Sequence, residues 1–176
     1  MAKSAILNQE RLTDAVRLRP VDSIDDILDD IRGCISRRAF ELFETNGHDG
    51  IHELDDWLAA ERELFWRPTA QIAERDGKLR LLIVMPGARA EDVDVRVTDH
   101  QLLVQSEQVR LGFDEEDETS PQLDELPRGR ALRVFDFERP LDTETARASL
   151  RDGVLRIEVQ LRPAAATETP RVEAAA

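Results

Sequence analysis

The chain has no tyrosine and a single cysteine, Cys34, in 176 residues. One cysteine excludes an internal disulfide framework and fits a reducing cytosol. Basic residues are in deficit, 24 Lys and Arg against 37 Asp and Glu, for a net charge of −13. That deficit argues against nucleic acid, whose phosphates demand a basic surface, and it disfavours anionic membranes. Long apolar runs are missing as well. The opening MAKSAILNQERL carries a patch too short for a signal-peptide core, and nothing approaches the ~20 residues of a membrane span. A cytoplasmic protein with no membrane or nucleic-acid partner is expected.

The signatures of catalysis are absent too. There is no G-x-x-x-x-G-K-[ST] phosphate loop, and no G-x-S-x-G elbow with a histidine and an acid in the right order. His48 and His52 could share a helix face, but no His-Glu-x-x-His exists and the third histidine, His100, lies in a distant turn. Asp25-Asp26 and Asp55-Asp56 read as helix-surface carboxylates, and Cys34 as a small packing residue without a cation cluster to activate it. No enzyme activity, cofactor or metal is expected.

What is present is strand periodicity. In Lys78 to Gln108, Leu79, Leu81, Ile83 and Met85 alternate with Arg80, Leu82 and Val84, and the run from Leu81 to Met85 is apolar on both faces, as in a strand covered on both sides. Pro86-Gly87 ends that strand. Val93, Val95 and Val97 then face one way, Asp94, Arg96 and Thr98 the other, and after the Asp99-His100 turn Leu102, Val104 and Ser106 continue the inward face. Upstream, Thr69 to Arg75 supplies a strand with Ala70, Ile72 and Ala73 inside, joined through the Asp76-Gly77 hairpin signal. Downstream, Leu132, Val134, Phe135 and Phe137 mark one strand and Ala146, Ala148 and Leu150 a short one. Asp152-Gly153 then turns into Leu155, Ile157, Val159 and Leu161. About seven short strands at close spacing give a mainly β fold, an immunoglobulin-like β-sandwich over residues 67–163. Residues 109–129 form a loop with a solvated acidic run from Asp114 to Glu118, and residues 164–176 a flexible tail.

Before the sandwich the period changes to that of helices. Residues 1–20 are expected to be flexible, forming at best a short amphipathic turn. Residues 21–66 read as an α-helical hairpin. Ser23 with Asp26 suggests a capping box, and Ile24, Ile27, Leu28, Ile31, Ile35, Leu42 and Phe43 form one face, which Gly33 could divide in two. A second helix is placed at Glu53 to Phe65 with Leu54, Trp57, Leu58, Leu64 and Phe65. So small a hairpin has no adequate core of its own. Its aromatic residues either pack on a neighbouring domain or subunit, or offer a sticky surface.

Two motifs carry a resemblance. Ala148-Ser149-Leu150-Arg151-Asp152-Gly153-Val154-Leu155 is similar to the A-x-x-x-n-G-x-L motif of small heat-shock proteins of the α-crystallin family. Pro86-Gly87-Ala88-Arg89-Ala90-Glu91-Asp92-Val93 is similar to that family's P-G-x-x-x-E-D-[IV] turn. The resemblance implies an ATP-independent holdase that binds partly unfolded clients and self-associates. On the holdase reading, the aromatic cluster of the hairpin, Phe40, Phe43, Trp57, Leu58, Phe65 and Trp66, is the expected client contact, with a groove formed by Val93, Val95, Val97, Ala148 and Leu150 as a second site. Arg133 and Phe135 match the family's arginine-x-phenylalanine at the subunit interface. Val172-Glu173-Ala174 is the candidate for the family's I-x-[IV] tail anchor, with Val172 and Ala174 as the docking side chains, although alanine offers little area to bury. Pro121 and Pro127 argue against an exchanged strand in the long loop. Arg38 to Phe43, Gly47 to Gly50 and Asp56 to Glu61 resemble a short bacterial helical module that implies no activity. The alternative is a specific adaptor with a CS-type sandwich that binds one folded partner.

Overall fold

Alternating side chains become two facing sheets in the computed structural model, which describes residues 15–46, 53–108, 126 and 129–163. The strands are β1 (Arg17–Pro20), β2 (Phe65–Trp66), β3 (Ala70–Arg75), β4 (Lys78–Val84), β5 (Val93–Val97), β6 (Gln101–Gln108), β7 (Arg130–Asp136), β8 (Leu141–Arg151) and β9 (Val154–Leu161). The helices are α1 (Asp25–Asn46) and α2 (Glu53–Leu64). One sheet has the order β3-β4-β9-β8 and the other β1-β5-β6-β7-β2.

Register explains the core. Leu79, Leu81 and Ile83 of β4 stand opposite Val159, Ile157 and Leu155 of β9, so each antiparallel pair shares a face. Val93, Val95 and Val97 of β5 stand opposite Ser106, Val104 and Leu102 of β6. These two apolar faces meet in one buried cluster that also takes in Met85, Phe135, Leu141, Ala146 and Leu150. The β8–β9 hairpin closes through Asp152 and Gly153 at φ 51° and 71°. Two positive φ values in succession give the tight turn whose twist suits paired strands.

The expectation that β4 is covered on both faces does not hold. Leu82 is half-buried and Val84 exposed, because a sandwich buries only the inner face of each sheet. In β3, Ile72 lies opposite the fully buried Leu81 yet is 44% exposed, since cover runs out at this edge strand. Ala73 is also exposed.

The helices differ from expectation in three details. Helix α1 runs unbroken through Gly33, which is exposed with open space where a Cβ would stand. The Ser23 cap uses Asp25 and not Asp26: the Asp25 N–H donates to Ser23 Oγ at 3.0 Å, and Ser23 Oγ–H donates to the Asp25 carboxylate at 2.7 Å. Helix α2 ends at Leu64, and Phe65 starts a strand.

The N-terminal arm also departs from expectation: residues 17–20 are strand β1, paired in parallel with β5. Strand β2 pairs in parallel with β7 at the opposite edge of that sheet. The chain between β1 and β2 therefore has to cross from one edge to the other, and the hairpin does so on the outer face. Leu132, which points away from the sandwich core, packs against the hairpin cluster of Ile35, Ala60 and Phe65.

The crossing ends in a seam. Neighbouring residues of a strand point to opposite faces, and β2 uses both. Phe65 belongs to the hairpin cluster, whereas Trp66 packs on the sandwich core. Gly129 lies against the end of α2, where a Cβ would stand 2.3 Å from the Leu64 carbonyl oxygen. Only glycine permits that approach.

Candidate functional site

Two surfaces are built by this arrangement. The first lies where β5, in one sheet, runs beside β8, the edge strand of the other. Val93, Val95 and Val97 line one wall, fully buried, while Leu150 is buried and Ala148 half-buried on the other. The sequence-predicted groove residues are thus brought together, and β1 occupies the space between them. Arg17, Leu18, Arg19 and Pro20 pair with Asp94, Val95, Arg96 and Val97 in turn, and Ala15 bridges Ser149 of β8. Val16 is 8% exposed within the sandwich core, and Leu18 packs against that core. The Val21 N–H extends the attachment by donating to the Val97 carbonyl at 3.0 Å.

Asp94 fastens β1 from the outer side. It pairs with Arg19 at 3.0 Å and Arg96 at 2.6 Å, and accepts from Gln105 Nε2 at 3.3 Å. Burial pushes its carboxyl pKa up, but hydrogen bonds from Arg96 and Arg19, with the Arg96 charge, outweigh that and hold it below the ordinary value.

The second surface is the hairpin. Its six predicted contact residues have three different fates. Phe65 is buried and Trp57 partly buried in the hairpin core, and Trp66 packs on the sandwich. Phe43 is half-buried, with its ring centroid 6.5 Å from that of Phe40. Phe40 and Leu58 are outward-facing, 59% and 41% exposed, and Leu54 joins them at 70%. Leu54 and Leu58 are one turn apart on α2, so they share a face. The apolar surface is therefore narrower than the aromatic count suggests.

Arg133 and Phe135 make their contacts within the chain. The Arg133 guanidinium lies 4.9 Å over the Phe135 ring and donates to the Pro68 carbonyl. Burial, with the nearby Arg67 charge, lowers the Arg133 pKa. Its Nε and the Trp66 Nε1 are buried with no hydrogen-bond partner among the described residues. Val172 and Ala174 lie outside the described residues, as do His48, His52, Pro121 and Pro127. Among the described residues no group of three His, Cys, Asp or Glu is placed to hold a metal, and no helix is long and apolar enough to cross a membrane.

Sequence reasoning missed Val16, Leu18 and Asp94. The signal was present as the alternation Val16-Arg17-Leu18-Arg19, two apolar residues spaced for one face of a short strand.

The chain is similar to known proteins over both its regions. The model of the Hsp20/alpha crystallin family matches residues 71–173, and that of a protein family of unknown function (DUF2934) matches residues 34–65. The chain is similar to a 17.3 kDa class II heat shock protein of Solanum peruvianum, 24% identical over 74% of this chain and 83% of that protein. Among solved structures it is similar to hspA from Xanthomonas axonopodis, at 26% identity and TM-score 0.49, over 57% of this chain and 98% of that one. A small heat-shock protein from Xylella fastidiosa is 25% identical with TM-score 0.46, over 63% of this chain and 97% of that one.

Proposed function

Because the chain belongs to the Hsp20/alpha crystallin family, whose small heat shock proteins are ATP-independent chaperones and not enzymes, we propose that it is a holdase. In this reading it binds partly unfolded proteins in the cytoplasm and keeps them from aggregating under stress, without a cofactor. The observation that carries the reading is the apolar surface left on the hairpin. Phe40, Leu54 and Leu58 stay exposed after the hairpin has packed on the sandwich, and exposed apolar groups are what an unfolded chain can bury against.

Client contact then centres on Phe40 and Leu58, with Phe43 beside Phe40. Trp57, Phe65 and Trp66 hold the surface in place and reach clients only if the hairpin lifts. Self-association through a surface that includes the half-buried Arg133, backed by Phe135 from within the core, would multiply weak contacts into useful avidity. The excess of acidic side chains keeps a loaded complex soluble.

The test is heat-induced aggregation of several labile model clients, followed by light scattering without ATP. The intact protein is compared with the Phe40→Ser/Leu58→Ser double variant. Substitution is the cleaner comparison, since truncation before Arg67 would also remove β1 and β2. The intact chain should suppress scattering near equimolar ratio, and the variant should need several-fold more protein. Failure of the intact chain with every client at several-fold excess would overturn the holdase and favour an adaptor for one folded partner.

A further inference from the structure

The two outer sides of the molecule carry opposite charge. In the β3-β4-β9-β8 sheet, register places Arg80, Glu158 and Arg147 in one row across β4, β9 and β8. Leu82, Arg156 and Ser149 form the next row, and Val84, Val154 and Arg151 the one after. These side chains alternate along β4 and β9 with the buried Leu81, Ile83, Leu155 and Ile157, so they stand on the outside of the sheet. In a chain of net charge −13, this face is basic, with Leu82, Val84 and Val154 as an apolar strip among its arginines.

The chain does not use up these cations. The acid in the three rows, Glu158, already holds Lys78 at 2.5 Å and Arg80 at 3.1 Å. Arg147 donates to the carbonyls of Glu144 and Ala146, and Arg156 is exposed with no ion pair among the described residues. The opposite side of the sandwich is the reverse. The hairpin packs there through Leu132 of β7, and carboxylates outnumber cations along both α1 and α2. Leu54, Leu58 and Glu61 are spaced to share one face of α2. All three are exposed, as is Glu53.

We propose that the outer face of the β3-β4-β9-β8 sheet receives the α2 face of a second copy of this chain. Leu54 and Leu58 of one copy cover Leu82 and Val84 of the other, while Glu53 and Glu61 meet Arg80 and Arg156. Charge complementarity names the occupant, and topology makes it a second copy. The two surfaces lie on opposite sides of a sandwich whose sheets pack about 10 Å apart, so one chain cannot close the contact on itself. The contact is therefore head-to-tail, and it extends to further copies where a two-fold pair would close. The net negative charge repels copies in other orientations, so the matched faces select this one. The apolar strip supplies the burial. The inference does not depend on the holdase reading, since its readout is association between copies with no client present.

Sedimentation velocity of the full chain tests it with two charge-reversed variants. Arg80→Glu/Arg156→Glu turns the sheet face acidic, and Glu53→Lys/Glu61→Lys turns the α2 face basic. Each variant alone should sediment as smaller particles than the unmodified chain at equal concentration. An equimolar mixture of the two should recover the larger size. In the mixture the reversed sheet of one variant meets the reversed α2 of the other, and their unaltered faces match as before. A variant that alone sediments like the unmodified chain overturns the proposal, and so does a mixture that is only the sum of its parts. Should Arg80→Glu/Arg156→Glu fail to fold by circular dichroism, Arg156→Glu takes its place, since it breaks no ion pair, and the same outcomes decide.

Discussion

The sandwich and the hairpin solve the burial problem differently. The sandwich gathers its apolar side chains into one cluster in which Leu81, Ile83, Val95, Leu155 and Ile157 are fully buried. Among the described residues, the hairpin's apolar cluster has Ile35, Ala60 and Phe65 buried, and Phe40, Leu54 and Leu58 stay outside. A helix pair of this size gets most of its stability from what it packs on. One region is therefore a platform, and the other is held to that platform through Phe65, Trp66, Leu132 and the close approach at Gly129. Apolar surface can remain exposed on the hairpin because the platform supplies the stability.

The sharpest way to break this comparison is to remove matched bulk from each core. Leu81→Ala should cost about 2–5 kcal/mol, as buried leucine truncations do, and lower the main unfolding transition in urea. Ile35→Ala should cost less and act on the helices alone, seen as earlier loss of ellipticity at 222 nm. A single transition moved equally by both would mean that the two regions are one cooperative unit.

Next is the joint. Gly129→Ala sets a methyl group against the Leu64 carbonyl, and overpacking of this kind costs roughly 1–3 kcal/mol. Hydrogen exchange should speed up along α1 and α2 while β4 and β9 stay protected. Faster exchange in β4 and β9 would show that the sandwich needs the hairpin.

Ser23→Ala removes the acceptor of the Asp25 N–H and should cost about 1 kcal/mol of helix stability, again read at 222 nm. Phe40→Ser/Leu58→Ser is expected to shift stability by less than about 0.5 kcal/mol, because exposed sites seldom contribute more, while reducing client protection several-fold. A large stability loss in that variant would assign those residues to packing.

The smallest effect concerns pH. The Asp94 carboxyl is held below its ordinary pKa in the fold, so its stabilising contribution is complete above the unfolded value and is lost as pH falls through the folded one. Attachment of β1 should thus hold from neutral pH into the ordinary carboxylate range and weaken only in stronger acid. Exchange of the β1 amides between neutral and acid pH measures this, and Asp94→Asn should show the loosened state throughout.

What could be read from sequence follows from which forces are local. The ladder from Leu79 to Ser106 and the faultless alternation from Leu155 to Leu161 were legible, because a period of two encodes a buried face directly. The same alternation gave the inward faces of Val93, Val95 and Val97, whereas their pairing with Ala148 and Leu150 as groove walls came from the family resemblance. The groove's occupant was not legible, because Val16-Arg17-Leu18-Arg19 becomes a strand only through tertiary pairing with β5, and Pro20 directly after it reads as a stop. Gly33 does not divide the helix, since an exposed glycine within a helix of 22 residues costs only ~1 kcal/mol relative to alanine. Ile72 is exposed although its alternation points it inward, because periodicity gives the face a side chain takes but not where the opposing sheet ends. In the hairpin, counting aromatic residues overstated the contact surface, because Phe65 and Trp66 serve as the seam.

That seam has an optical consequence. The chain contains two tryptophans and no tyrosine, and both indoles are at the hairpin or its joint: Trp57 inside the helical core and Trp66 against the sandwich. Intrinsic emission therefore samples this one boundary. If the hairpin lifts and draws β2 away from β7 while the other strands stay paired, Trp66 leaves the sandwich core and meets water, and the emission maximum moves to longer wavelength with little change in the β-sheet circular dichroism. The protein thus carries its own reporter of hairpin docking, readable during client binding without an added dye.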